Sequence, residues 1–224
     1  MSALPDFSAN DSERLLSTAR QRICDEADAV RRVADALDDS FVTAIRCIRS
    51  APGRVITVGA GTSSSVAQRM AHLLSTSGTP AMFLHPGEAL HGSLGAVTRA
   101  DVVLAISKGG SSAEMNTFAE RAKVRGAALV VLTAAPRSPL AGLADVVVQL
   151  PDSPESDPGG VIAMGSSLVS AVWGDALAIV LMQISGYEWS AVLGSHPSGA
   201  VGQQIKLPRA LPRLPDPALS RGGT

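Results

Sequence analysis

Two short runs of β-forming residues each lead directly into a turn rich in glycine and serine, and a helical pattern follows each turn. The first run, residues 54–58, precedes the turn at 59–65 (GAGTSSS). The second run, residues 102–106, precedes the turn at 107–112 (SKGGSS). A strand–turn–helix unit of this kind directs backbone N–H groups and the positive end of a helix dipole toward one point, which favours a phosphate group or another anion. The repetition predicts a phosphorylated ligand.

Strands and helices alternate along the middle of the chain. Such βαβ units form right-handed parallel sheets, and their ligands bind beyond the carboxyl ends of the strands, where both turns lie. The sequence therefore predicts an α/β protein, a three-layer sandwich with a five-stranded parallel sheet of the flavodoxin/Rossmann-like kind and extra N-terminal helices. The predicted strands are 54–58, 81–84, 102–106, 128–132 and 146–149, and the helices between them centre near residues 71, 118 and 140.

Neither turn matches a common nucleotide-binding motif. The turn at 59–65 begins like G-x-G-x-x-G but lacks the third glycine, and no acidic residue ends a second strand about twenty residues further on. The turn at 107–112 lacks the G-x-x-x-x-G-K-[ST] spacing. Each turn taken alone is also compatible with an ordinary strand-to-helix connection built of small residues.

Three regions follow one another along the chain. Residues 1–53 have a helical pattern with more apolar positions than one helix needs against one sheet, so we expect part of this segment to meet another subunit. Residues 54–206 form the ligand-binding domain, which includes a long apolar helix from about Met164 to Ile184. Residues 207–224 contain four prolines and few bulky apolar residues, which predicts a disordered tail.

Charge and composition argue against several classes of protein. The formal net charge is -1 and no basic stripe stands out, which argues against a nucleic-acid partner. The apolar runs are shorter than a membrane span and the N-terminus is polar, so we expect no membrane partner and no signal peptide. Cys24 and Cys47 lie in helical segments and are typical of thiols in a reducing compartment. We therefore expect a cytoplasmic protein.

Four histidines are present, and their placement differs. His72 lies inside an apolar helical pattern and is expected to pack. His85, His91 and His196 fall in loops, and His85 ends the second strand, at the same sheet edge as both turns. A histidine beside an anion site can act as an acid or a base. Three histidines and a glutamate can also hold zinc, but their spacing matches no standard metal motif, so we expect no metal.

Three carboxylates lie near the predicted anion site. Glu114 is the first carboxylate after the second turn, at the start of its helix. It can stabilise the helix dipole there, as any acidic residue in a first turn does, or it can point at a substrate beside the phosphate. Glu155 and Asp157 lie in a loop rich in Pro, Asp and Gly before the long helix. They are either solvated loop charges or part of the site.

The segment 55–150 resembles a sugar-isomerase (SIS) domain. Three further segments closely resemble the isomerase domain of arabinose 5-phosphate isomerases: 85–95 (HPGEALHGSLG), 174–178 (GDALA) and 195–202 (SHPSGAVG). The resemblance covers about residues 10–206. Those isomerases usually carry a C-terminal pair of CBS modules, which have no counterpart in the sequence here.

The resemblance implies a phosphosugar isomerase that interconverts an aldose phosphate and a ketose phosphate through an enediol, with no cofactor. It also implies a site between the subunits of a homotetramer, to which a neighbouring subunit contributes the histidine matching His196. The residues that match the catalytic positions are Glu114, His196, His91 and Glu155. Those expected at the phosphate and the substrate are Gly61, Thr62, Ser63, Ser64, Ser107, Lys108, Ser111, Ser112, His85 and Glu88.

The sequence departs from that family at both turns. Arabinose 5-phosphate isomerases have a lysine where this chain has Thr62, and Ser-Asn-Ser-Gly-Glu where it has 107–111. Lys108 is a candidate to restore the missing charge. A group of stand-alone SIS proteins shares the Gly-Thr-Ser and Ser-Lys-Gly-Gly variants. Two other functions fit the same residues: a non-catalytic phosphosugar-binding module with a regulatory role, or a sugar-phosphate lyase on the same fold.

Overall fold

Five parallel strands form the centre of the protein in a computed structural model, which describes residues 8–204 and 206–219. The strands run in the order β2-β1-β3-β4-β5 across the sheet. The sequence predicted each of them, and the strand ends differ from the prediction by at most one residue. The strand bounds are β1 Val55–Gly59, β2 Ala81–Phe83, β3 Val102–Ile106, β4 Ala128–Thr133 and β5 Val146–Gln149.

Helices cover both faces of the sheet, which confirms the three-layer α/β architecture. Helices α2, α3 and α7 and the end of α1 pack on one face, and α4, α5 and α6 pack on the other. The helix bounds are α1 Ala9–Asp35, α2 Asp39–Ser50, α3 Thr62–Thr76, α4 Pro86–Leu90, α5 Ala113–Val124, α6 Pro139–Leu143, α7 Gly165–Ser185 and α8 Trp189–Gly194.

Strands β1 and β3 are buried along their whole length. In β3, Val102, Leu104 and Ile106 pack toward α3 and α7, whereas Val103 and Ala105 pack toward α5. A strand covered on both faces needs apolar side chains at successive positions rather than at alternate ones. That requirement explains why continuous runs of Val, Ile and Leu identified the strands.

Asp101 fixes the amino edge of the sheet at the start of β3. Its side chain is 4% exposed and accepts hydrogen bonds from the backbone N–H groups of Arg54 at 2.9 Å and Thr98 at 2.8 Å, and from the Thr98 hydroxyl at 2.7 Å. Burial alone raises the pKa of this carboxyl, but these hydrogen bonds and the Arg54 charge outweigh it and hold the pKa below its usual value. The carboxylate thereby ties β1 to β3 at the edge opposite the predicted site.

Helix α7 contradicts the expectation that every apolar run is shorter than a membrane span. It is long and apolar enough to cross a membrane by length and composition alone, with a mean hydropathy of 1.7. Half of that apolar window is buried inside the protein, where Trp173, Leu177 and Leu181 pack in the core. Its apolar character therefore has an explanation within the fold.

His72 and the C-terminal segment also differ from prediction. His72 is exposed, because Met70, Ala71 and Leu74 take the buried side of α3. The segment predicted to be a disordered tail makes specific hydrogen bonds to the helices within residues 207–219. Residues 220–224 lie outside the described residues.

Side chains of the helices hold that C-terminal segment. The Trp189 indole N–H donates to the carbonyl of Arg209 at 3.0 Å, and the Gln183 amide donates to that of Pro212 at 3.0 Å. Arg49 makes two hydrogen bonds to Asp216, at 3.0 and 2.8 Å. Proline has no backbone N–H, so a proline-rich segment offers mainly carbonyl acceptors, which suits these donors. The low apolar content of the segment gave no sign of such polar anchoring.

We expect Asp101→Asn to lower the free energy of unfolding at pH 7 by about 1–3 kcal/mol, because the amide cannot accept all the buried hydrogen bonds. The folded-state pKa of Asp101 lies below its unfolded value, so its stabilisation is present above that value and lost as the pH falls through the folded pKa. The gap between parent and variant, measured by urea denaturation, should therefore narrow below the usual pKa of 3.8.

Asp28→Asn is the matched control, since Asp28 forms an exposed ion pair with Arg31. We expect it to change the free energy of unfolding by at most about 0.5 kcal/mol. An Asp101→Asn effect no larger than this control, or one that is constant with pH, would show that the carboxylate does not anchor the sheet.

Candidate functional site

The strand order brings both glycine-serine turns to one place. From β1 the chain proceeds to β2 on one side, whereas β3 lies on the other, so the order reverses between β1 and β3. These two strands pair from Val55↔Val102 to Gly59↔Ile106 and end level with one another. Ligands of open parallel sheets bind at such a reversal, beyond the carboxyl ends of the strands. The turns after β1 and β3 flank that position.

The first turn leaves the start of α3 available to an anion. Gly61 precedes the helix with φ 56°, a left-handed region that favours glycine, and no side-chain cap bond forms there within the described chain. The Ser64 hydroxyl donates to the Gly61 carbonyl at 2.7 Å and is used inside the turn. Thr62 is exposed and Ser63 half-buried. Ser63 and the N–H groups at the start of α3 lie at this end of β1, whereas Thr62 also lines the groove between α1, α3 and α7.

The second turn is arranged in a similar way around Ser112, the residue before α5. Ser112 makes no side-chain cap hydrogen bond within the described residues, so its hydroxyl is not used by the helix. The Ser107 hydroxyl accepts the Gly110 N–H at 3.2 Å and keeps its own proton for a ligand. The Ser111 hydroxyl instead donates to the Gly109 carbonyl at 3.2 Å. Gly110 has φ 62°, and a Cβ there would overlap the Ser138 side chain.

Glu114 and His85 lie together beside these turns. Glu114 is exposed in the first turn of α5, as predicted, and α4 packs against α5. A Cβ built on Gly87 of α4 would lie 3.2 Å from His85 Nδ1 and 3.7 Å from Glu114 Oε2. The carboxylate and the imidazole therefore approach the same point. A carboxylate and a histidine so placed can exchange protons with a ligand held between the turns.

The orientation of His85 is set by its own backbone. His85 precedes α4, and its Nδ1 accepts the Gly87 N–H at 3.2 Å. In the neutral ring the proton is then on Nε2, which makes Nε2 a donor. Phe83 contacts the ring edge to face, with centroids 6.4 Å apart. The ring is thus held from two sides, and no hydrogen bond within the described residues uses its Nε2.

The remaining predicted site residues on α4 and after α8 occupy separate positions. Glu88 and His91 are exposed, on α4 and directly after it. His196 follows α8, where its Nδ1 lies 2.7 Å from the Val192 carbonyl and 3.1 Å from the Ser195 hydroxyl. The structure thus brings Glu114 together with His85 and holds His196 in its own turn.

Glu155 and Lys108 are both engaged in ion pairs. Glu155 pairs with Arg32 of α1. The Lys108 ammonium lies 2.9 Å from Asp157 Oδ2 and 3.5 Å from Asp152 Oδ1. The hydrogen bond to Asp157 is the main cause that raises the pKa of Lys108.

The burial of Asp157 rules out the alternative that it is a solvated loop charge. Its side chain is 2% exposed, and its Oδ1 accepts the Ser166 N–H at 3.0 Å. Burial raises the pKa of this carboxyl, but the hydrogen bonds from Lys108 and Ser166 outweigh burial and hold the pKa below its usual value. No local pattern in the sequence pointed to this pair, because its two residues are 49 positions apart. Sequence reasoning missed it, and it also missed Arg32.

The zinc alternative gains no geometric support. Within residues 8–204 and 206–219, no group of three or more His, Cys, Asp and Glu side chains is placed to hold a metal ion.

Comparison with known proteins identifies relatives of this chain. The chain is 38% identical over 192 residues to the arabinose 5-phosphate isomerase KdsD of Pseudomonas aeruginosa, and 36% identical over 194 residues to GutQ of Escherichia coli K12. These matches cover 86% and 87% of the chain but 59% and 60% of the relatives, so the chain spans about three fifths of their length.

A solved structure and a family profile agree with these relatives. The structure of E. coli CFT073 c3406 in complex with A5P superposes with a TM-score of 0.80 at 32% identity, covering 85% of this chain and all of that one. The profile of the SIS domain matches residues 48–180, which include all five strands and both turns. The chain belongs to the SIS domain family.

Proposed function

We propose that this protein is an aldose–ketose isomerase that acts on a sugar phosphate through an enediol and needs no cofactor. The observation that carries the proposal is the Glu114 carboxylate beside His85, next to two helix N-termini at one sheet edge. A module that only binds needs the turns but has no use for a base. The relatives named arabinose 5-phosphate isomerase, and the related structure that contains A5P, support a pentose phosphate as the first substrate to examine.

In the proposed mechanism each part of the site has a task. The substrate phosphate meets the N–H groups at the starts of α3 and α5 and the hydroxyls of Ser63, Ser107 and Ser112. The sugar then lies against α4, within reach of Glu114. The carboxylate takes the proton from the carbon beside the carbonyl and returns it to the neighbouring carbon. The Nε2–H of His85 donates to the oxygen that becomes negative as the enediol forms.

The other predicted catalytic residues have roles that depend on assembly. In our proposal His196 reaches the site of a neighbouring subunit, where it assists ring opening or moves a proton between the sugar oxygens. His91 lies at the opening of that same site. Glu155 supports the site from its ion pair with Arg32. A phosphosugar-binding module and a sugar-phosphate lyase remain the competing functions, and the products that the parent protein forms distinguish them from isomerisation.

We further propose a cytoplasmic homotetramer. The first half of α1 is exposed in the single chain, with Leu15 at 60%, Leu16 at 51% and Ile23 at 66% exposure. A groove of about 350 Å³ between α1, α3 and α7 is lined mainly by apolar atoms, with Val30, Leu168 and Val172 among its residues. Apolar surface on this scale is stable when another subunit covers it.

Glu114→Gln should lower turnover of the best pentose or hexose phosphate by about 10²–10⁴ while its dissociation constant changes only a few fold, because the amide keeps the shape but cannot take a proton. Steady-state rates and calorimetric binding measure the two effects. Glu120→Gln is the matched control on the exposed side of the same helix.

Parent-like turnover in Glu114→Gln would reduce Glu114 to a helix-dipole charge. Binding of sugar phosphates without isomerisation by the parent would favour the binding module. Release of a leaving group from the sugar phosphate would favour the lyase.

Light scattering at micromolar concentration should give the mass of four chains. Leu16→Glu should give smaller species, because a buried interface rejects an unpaired charge. Gln21→Glu is the control, since residue 21 lies on the side of α1 opposite Leu16 and Ile23 at 100° per residue. A monomeric parent would contradict the assembly and the role given to His196.

A further inference from the structure

The Lys108 side chain leaves the second turn and reaches a different loop. Its ammonium lies 2.9 Å from Asp157 Oδ2 and 3.5 Å from Asp152 Oδ1. Both aspartates belong to residues 151–164, the acidic segment that joins β5 to α7. The other oxygen of Asp157 accepts the Ser166 N–H at the start of α7. One carboxylate therefore links the turn after β3 to the helix that follows the acidic segment.

The burial of Asp157 limits the positions that the Lys108 ammonium can take. The Asp157 side chain is 2% exposed, whereas that of Lys108 is 37% exposed. If the ammonium moved to a ligand phosphate, it would leave a buried carboxylate without its counter-charge, which is strongly unfavourable. The ion pair is therefore retained when an anion arrives, and the charge of Lys108 is already used within the fold.

The acidic segment is held from its other side by α1. Arg32 pairs with Glu155 and donates to the Ser153 hydroxyl at 3.0 Å, and Arg22 donates to the Glu155 carbonyl at 3.0 Å. Lys108 supplies the corresponding contact from the sheet edge. The segment is thus fixed between the N-terminal helix and the turn that carries Ser107 and Ser112.

We propose that Lys108 is a positioning residue that holds the acidic segment against the second turn, and that it is not a ligand of the substrate phosphate. This inference rests on the proposed isomerase function. In it, hydroxyl and backbone N–H groups of the two turns meet the phosphate, so the ion pair acts on catalysis by keeping the turn and the segment in register.

Three variants test the proposal: Lys108→Met, Asp157→Asn and the double variant. Lys123→Met is the matched control, because Lys123 and Asp145 form a lysine–aspartate pair away from the sheet-edge turns. Amide hydrogen exchange over residues 151–164 reports the position of the segment. Calorimetric titration with arabinose 5-phosphate reports phosphate binding.

Lys108→Met should raise exchange in the acidic segment by about tenfold or more, because local opening becomes easier when the buried carboxylate is unpaired. Its dissociation constant for arabinose 5-phosphate should stay within about threefold of the parent value, less than the loss of a charged hydrogen-bond donor would cause. The double variant should exchange more than the parent, because the ion pair that holds the segment is absent, but less than Lys108→Met, since the neutral amide at position 157 leaves no charge stranded and paired residues are not additive. Lys123→Met should change neither readout.

Two results would overturn the proposal. One is binding weakened by about tenfold or more in Lys108→Met with exchange unchanged, which would make Lys108 a phosphate ligand. The other is parent-like exchange in the double variant, which would show that the ion pair does not hold the segment. If Lys108→Met does not fold, Asp157→Asn decides the matter, and parent-like protection in it contradicts the proposal. If the parent binds no sugar phosphate, the proposed function fails while exchange still tests the positioning role.

Discussion

The pairing of β1 with β3, while β2 continues on the other side, is the constraint on which the site depends. It reverses the strand order at one point and sets the carboxyl ends of β1 and β3 level. Two turns that lie far apart in sequence thereby become neighbours, and the helices after them begin at the same edge. Because the positive ends of helix dipoles act over short distances, neither turn alone would offer an anion what the pair offers.

The environments of three carboxylates show how the fold separates stability from function. Asp101 and Asp157 are buried, and each is satisfied by hydrogen bonds from backbone N–H groups and side chains. Glu114 is exposed in the first turn of α5, and its carboxylate and the His85 ring both approach Gly87. A carboxylate fully used by the fold cannot serve as a base, whereas one that is exposed beside a histidine can. The geometry therefore selects Glu114 from among the acidic residues of the sheet edges.

The sequence predicted those parts of the molecule that depend on local pattern. The strands were found because both faces of a buried parallel strand require continuous apolar residues, as in β3. The position of Glu114 followed from its place after the second turn. The exposed His72 was misjudged because an apolar helical stripe does not say which residues face outward at its edge.

Ionic contacts between distant segments were not predictable in the same way. Lys108 and Asp157 are 49 residues apart in sequence, and Arg32 and Glu155 are 123 apart. Only tertiary folding brings these charges together, so no local pattern announces the pairs. The docking of the C-terminal segment through Arg49 and Asp216 escaped prediction for the same reason.

The central claim is that one site at the β1/β3 edge holds the phosphate of a sugar and presents its carbonyl carbons to Glu114. A crystal structure of the protein with a bound pentose phosphate tests it most directly. The account predicts a phosphate hydrogen-bonded to the first N–H groups of α3 and α5 and to Ser112, with the Glu114 carboxylate within hydrogen-bond reach of the first two carbons of the sugar. A phosphate held by Lys108, or a sugar turned away from Glu114, would contradict it.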